Sequence, residues 1–190
     1  MDVGCGDGVL SKLFFDLYPK NLFHLLDGSQ TMLEKAKNNL KSANAVFFQD
    51  TFEHFLKSKT NEQQYDFIFS SMAIHHLEHQ LKHELYSRIY AMLNHQGLFL
   101  NIDVVLPNSA KTERIQFKMW TDYINSYLTK RNRASEVGKH DNLPVVYKTK
   151  SENKPSSLAS QLTMLADIGY KDVECYFKYG IFALFGGVKS

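Results

Sequence analysis

The chain has 190 residues, 44% of them hydrophobic and 22% charged, with 22 basic against 20 acidic side chains and a formal charge of +2. That length suits one domain with a substantial core, and the near-neutral balance gives no electrostatic case for nucleic acid or a membrane surface as partner. No apolar run approaches the roughly 20 residues of a membrane span, no secretory leader is visible, and two cysteines, Cys5 and Cys175, cannot form a disulfide framework; a cytoplasmic setting is expected. Taken in order, a first strand closes at Val3 and runs directly into Gly4, Gly6 and Gly8. Helical spacing over 9–18 places Leu10, Leu13, Phe14 and Leu17 on one face, and Pro19 stops it. "LFHLLD" reads as strand two, after which Ser29 can cap a helix through Lys41 that buries Met32, Leu33, Ala36 and Leu40. "AVFFQD" is strand three and "YDFIFSS" strand four, followed by a helix carrying Leu77, Leu81, Leu85, Ile89 and Met92. Asn94 and Gly97 mark a turn into strand five, "GLFLNIDVV".

The alternation then breaks. Residues 107–154 read as an insertion, helical around 110–128 and loop-like afterwards, with ten basic and five acidic side chains. Ser156 or Ser157 then caps a helix ending near Gly169, and two strands follow, "DVECYF" and "IFALFGGV", too close in sequence for a helical crossover. They must form an antiparallel hairpin. The expected fold is α/β: a Rossmann-like doubly wound sheet of five parallel strands plus a C-terminal antiparallel hairpin, with helices on both faces, in a single domain spanning 1–190.

Three strand ends carry the chemistry. Glycines between a strand and a helix let the backbone approach a ligand at the carboxyl edge of an open sheet. Asp27, followed by Gly28, ends strand two, where a carboxylate can accept both hydrogen bonds of a ribose diol. Asp50 ends strand three, placed to accept from an exocyclic adenine amine while the Thr51 amide meets a ring nitrogen. Three such positions in register point to an adenosine derivative. The third glycine comes one residue too early for a dinucleotide fingerprint, and no lysine–hydroxyl pair follows to make a P-loop.

"DVGCGDG", "LLDGSQTMLEKAK", "FFQD", "YDFIFSSMAIHHL" and "MLNHQGLFLNID" resemble, in order and spacing, the successive motifs of class I S-adenosylmethionine-dependent methyltransferases, and "LADIGYKDVECYFKYGIFALFGGVK" resembles their closing helix and hairpin. The resemblance covers Met1 to about Leu106 and Ser157 to Lys189. It implies S-adenosyl-L-methionine as cofactor and S-adenosyl-L-homocysteine as product, with methyl transfer by in-line displacement to an unidentified small-molecule acceptor. Gly4, Gly6 and Gly8 would line the methionine part and Asp2 would reach its amino group through water. Asp27 would hold the ribose, Asp50 and Thr51 would read the adenine, and Ser70 and Ser71 would lie under the sulfonium region through their carbonyls. The chain departs from the family in lacking the helices that precede the first strand. Only Met1 to Val3 remain for that strand, which suggests either a start upstream of Met1 or an open site completed by a second copy.

A general base is optional for methyl transfer; His75, His76 and Asp103 are the candidates. "IHHL" also occurs as a packing motif, so a wall role for the histidines competes with a catalytic one. His75, His79 and His83 follow i, i+4, i+8, but no thiolate or carboxylate cluster completes a metal site, and none is expected. Trp120, Tyr123 and Tyr127 in the insertion, with Phe117 and Ile124, either line an acceptor pocket or bury a helix face. Two other readings stand beside the methyltransferase. One is a tRNA-modification enzyme of the carboxy-S-adenosylmethionine synthase type, which resembles the chain through its long helical insertion but whose carboxylate-holding arginine has no counterpart in 122–127. The other is a non-catalytic interaction module on the same fold.

Overall fold

The computed structural model describes residues 1–41, 44–58 and 63–190. The first half runs β1 (Asp2–Val3), α1 (Val9–Leu17), β2 (Phe23–Asp27), α2 (Gln30–Asn39), β3 (Ala45–Gln49), α3 (Phe52–Lys57) and β4 (Tyr65–Ser71). A 3₁₀ turn (Ile74–His76), α4 (His79–Met92) and β5 (Leu93–Val104) follow. The insertion holds α5 (Ala110–Lys130), a short 3₁₀ turn (Ala134–Glu136) and α6 (Leu143–Thr149), and the chain closes with α7 (Leu158–Ile168), β6 (Lys171–Tyr179) and β7 (Phe182–Val188).

These strands form one seven-stranded sheet in the order β3-β2-β1-β4-β5-β7-β6. β1 to β5 are mutually parallel, and β7 lies antiparallel between β5 and β6, as the short link before it requires. The chain enters at β1, steps outward to β3, then returns to the other side of β1 as β4. Strand order therefore reverses between β1 and β4, and a crevice opens at their carboxyl ends.

Period-two alternation divides the core. Leu25 of β2 joins Cys5, Leu33, Ala36 and Leu40 beneath α2, with Phe15 of α1 against them. The neighbouring Leu26 joins Val3, Ile68, Leu85, Ile89 and Leu165 on the opposite face, where α3, α4 and α7 pack. Helices thus cover both faces.

Several local expectations need correction. Ser11 is the buried residue of α1, Phe14 packs on Phe67 and Phe69, and Leu13 and Leu17 of the expected buried face are 59% and 71% exposed. The apolar spacing was helical, but the stripe is wider than the side the sheet covers. Met32 is likewise exposed at the start of α2, while Leu33, Ala36 and Leu40 are buried. Leu77 is buried in the turn before α4, outside the helix. Asn94 to Gly97 forms an irregularity within β5, with Gln96 in the left-handed region, instead of a turn before it. The "loop-like" part of the insertion contains α6, whose Pro144 sits in the first turn, where its missing N–H costs nothing. Among the described residues no helix is long and apolar enough to cross a membrane.

Candidate functional site

The crevice between β1 and β4 widens into a cavity of about 790 Å³ that runs along the ends of β1 to β4, a volume suited to a cofactor-sized ligand. Its floor is the turn from Gly4 to Asp7. Gly4 has φ +79°, and a Cβ there would lie 2.4 Å from Cβ of Ala73 and 3.1 Å from the Phe52 ring. Gly8 also has positive φ, but a Cβ there would meet Ala36 and Leu40 at 3.0–3.1 Å. Gly8 therefore starts α1 and seats it on α2 and is absent from the cavity wall, so it does not line the site as the motif suggested.

Each carboxylate has a defined setting. Asp27 accepts from the Gly6 amide at 2.8 Å through one oxygen and from the Ser29 amide at 2.8 Å through the other. Each oxygen keeps a second acceptor site, and the residue lines the cavity. Asp50 holds Nδ1 of His54 at 2.6 Å through one oxygen. Thr51 caps α3 by accepting from the His54 amide at 3.2 Å. Asp2 is 3% exposed; Oδ2 accepts from the Ser11 hydroxyl at 2.6 Å, while the buried Oδ1 finds no donor. Burial pushes this carboxyl up to about 7, against the Ser11 hydrogen bond, which favours the ionised form. Asp2 lines the cavity, so this buried acceptor without a donor belongs to a wall residue.

At the β4 side Ser71 and Met72 line the cavity, whereas Ser70 is fully buried and donates to the Val3 carbonyl at 2.6 Å. Of the three acid–base candidates only His76 reaches the wall. His75 is turned away: Nδ1 meets Asp103 Oδ1 at 2.6 Å, its amide donates to Oδ2 at 2.9 Å, and both residues are buried. Asp103 also accepts from the Val104 amide at 2.8 Å. The pair pins the 3₁₀ turn to β5. His76 packs on the His75 ring at 4.1 Å, and its Nδ1 lies 3.1 Å from the Glu152 carbonyl. A carbonyl only accepts, so Nδ1 carries the proton and Nε2 is the basic nitrogen of the neutral ring.

His75 precedes α4 while His79 opens it, so the three histidines at i, i+4, i+8 do not share one helix face. Trp120 and Tyr123 line a second, apolar cavity of about 440 Å³ between α5 and the closing hairpin, which shares no lining residue with the first. Tyr127 lies outside it, 45% exposed, under the Arg131 guanidinium. The expected aromatic acceptor pocket is thus not at the strand ends.

Sequence reasoning missed the apolar wall beside the turn, made by Val9, Leu10, Leu13, Met32, Phe52 and Met72. Met72 carried no sequence signal: it sits at φ +53°, a strained position that no motif marks.

Comparison with known proteins gives a consistent picture. A family profile described as a methyltransferase domain matches residues 1–97. The chain is 32% identical over 98 residues to a malonyl-[acyl-carrier protein] O-methyltransferase from Ilyobacter polytropus, covering 51% of this chain and 34% of that protein. It is 24% identical over 188 residues to a carboxy-S-adenosyl-L-methionine synthase from Campylobacter concisus, covering 97% of this chain and 74% of that one. An O-methyltransferase family protein from Burkholderia thailandensis superposes with a TM-score of 0.69 at 12% identity, over 100% of this chain and 50% of that chain. The chain spans about a third of the length of the first of these relatives.

Proposed function

Since the chain belongs to the class I S-adenosylmethionine-dependent methyltransferase domain family, we propose that the strand-end cavity binds S-adenosyl-L-methionine and that the chain transfers its methyl group to a small-molecule acceptor. The observation that carries this reading is the orphaned Asp2 Oδ1 in a cavity wall that also presents Asp27, Asp50 and Thr51. When bound, the cofactor supplies an electrophilic methyl on a positively charged sulfur. Asp2 would hold the amino group, Asp27 the ribose hydroxyls, and Asp50 with the Thr51 amide the adenine, while the Gly4 turn fits the methionine chain. Among the described residues His76 is the one histidine on the wall, and its basic Nε2 can take the acceptor's proton as the acceptor is held in line. His75 and Asp103 act through it, as positioning residues. The free cysteines Cys5 and Cys175 fit a reducing compartment such as the cytoplasm.

The carboxy-S-adenosylmethionine synthase reading is favoured by an alignment running nearly the whole chain. It is weakened by a cavity wall without lysine or arginine among the described residues. Isothermal calorimetry with S-adenosylmethionine and S-adenosylhomocysteine tests the assignment. Binding is expected for both, with Asp27→Ala weakening each about 100-fold, the effect of losing two hydrogen bonds to a charged group. No heat of binding at millimolar ligand would remove the reading.

A pH dependence follows from Asp2. Its carboxyl pKa is raised in the fold, from 3.8 to about 7. The folded state therefore holds more protons between those values, and the stability supplied by neutral Asp2 is lost as pH rises through about 7. A ligand ammonium needs the ionised form, so affinity for S-adenosylmethionine should rise with pH across 6 to 7, approaching tenfold per unit at most. Calorimetry at several pH values with Asp2→Asn as control checks this; the variant should show a flat profile.

A further inference from the structure

The wall of the cavity carries five carboxyl groups, Asp2, Asp7, Asp27, Asp50 and Glu53, with His76 as its one basic side chain and neither lysine nor arginine among the described residues. Cations nearby are engaged elsewhere: Lys12 pairs with Asp16 and Lys154 with Glu78. The glycine turn offers little to an anion either. The amides of Gly4 and Cys5 donate to the Leu26 carbonyl, Gly6 to Asp27, Gly8 to the Cys5 carbonyl and Val9 to Asp7. That leaves the Asp7 amide as the donor those bonds do not use, and the carboxylate of the cofactor's own methionine group would take it. On the side of β4 the wall is Ser71, Met72 and Ala73 beside His76, with Leu10 and Leu13 of α1 adding apolar surface, and the proposal places the transferred group there.

We propose that this site admits no second anion next to the sulfonium: it accepts the donor with a plain methyl group, rejects the donor whose methyl bears a carboxylate, and takes acceptors that are uncharged or cationic around the reacting atom. This rests on the reading of the cavity as the S-adenosylmethionine site. A carboxylate buried within ~6 Å of another, at an effective dielectric between those of protein and water, loses roughly tenfold or more in affinity, and among the described wall residues only His76 could offset it.

The test is calorimetric titration of the full chain with S-adenosylmethionine and, separately, with carboxy-S-adenosylmethionine, at about 20 mM and about 500 mM salt. The expected result is at least about tenfold tighter binding of the methyl form at low salt, with the gap narrowing at high salt. Equal affinity, or preference for the carboxylated form, overturns the proposal and leaves the cofactor assignment standing. Binding of neither overturns both. A second arm uses Met72→Lys, which adds an ammonium at an exposed wall position. That change should raise the relative affinity for the carboxylated donor several-fold, and an unchanged ratio would show that charge is not what the wall selects.

Discussion

Replacing Gly4 by alanine should weaken S-adenosylmethionine binding by at least about 100-fold and lower stability by about 2–4 kcal/mol. Two costs add. The residue sits at φ +79°, where an L side chain costs about 1–2 kcal/mol. The new methyl would also lie 2.4 Å from Cβ of Ala73, which has no flexible end to move aside. Relief must come from the backbone, and the backbone at Ala73 is the turn that presents Ser71, Met72 and His76 to the cavity. The damage therefore reaches both the donor and the acceptor side. Gly6→Ala is the matched control for stability: φ is +54°, yet an added Cβ has nothing of the protein within 4 Å, so a stability loss of only about 1 kcal/mol is expected. In the double variant Gly4→Ala, Ala73→Gly the collision with Ala73 disappears, while the 3.1 Å approach to the Phe52 ring and the conformational cost stay. Thermal unfolding and calorimetry of the four proteins separate the terms. If Gly4→Ala and Gly6→Ala lose equal stability, close packing of the turn against β4 is not what shapes the site.

The legible part of this protein was the part governed by periodicity and by strand ends. Alternating β and helical segments gave the parallel sheet, the short final link forced the antiparallel hairpin, and carboxylates after β2 and β3 landed on the cavity wall with Asp2 and Gly4. Local pattern failed wherever a side chain's role depends on what the fold brings opposite it. Gly8 belongs to the same motif as Gly4, but Ala36 and Leu40 stand over it, so it packs a helix instead of lining a ligand. His75 and His76 are adjacent and identical in type. Asp103, 28 residues away, claims the first, and the Glu152 carbonyl, 76 residues away, orients the second. Trp120 and Tyr123 look like an acceptor lining in sequence, yet the hairpin residues Phe177, Tyr179 and Phe182 gather them into a separate cavity. Lys82 reads as one more charged residue on α4, and nothing nearby in sequence marks it as buried.

Lys82→Met should reduce the turnover of methyl transfer about tenfold while leaving S-adenosylmethionine affinity within about twofold, because its effect runs through the position of His76. The side chain is 1% exposed, and its ammonium donates to the Lys154 carbonyl and, at 3.1 Å, to the Ser156 hydroxyl. Those oxygens lie at the end of the insertion and just beyond it. From the same stretch, the Lys154 amide donates to the His75 carbonyl at 2.8 Å and the Glu152 carbonyl accepts from His76. One buried lysine thus fastens to α4 the segment that fixes the tautomer of the candidate base. Methionine keeps the stem's packing but takes the ammonium donor from the half-buried Lys154 carbonyl and leaves the Ser156 hydroxyl with His79 Nδ1 at 3.5 Å, at about 1–3 kcal/mol in total. Burial lowers the Lys82 pKa below 10.5, against the opposing pull of Asp103 and Glu78. The unfolded chain then holds the extra proton between the folded pKa and 10.5, so wild-type stability gains with rising pH across that interval and the methionine variant should lack this gain. A pH–rate profile decides the functional half: loss of the Glu152 tether frees His76 to rotate, and the basic limb should shift in Lys82→Met. A variant that loses stability with kcat and its pH profile unchanged would make Lys82 a purely structural anchor, with His76 positioned by the His75–Asp103 pair alone.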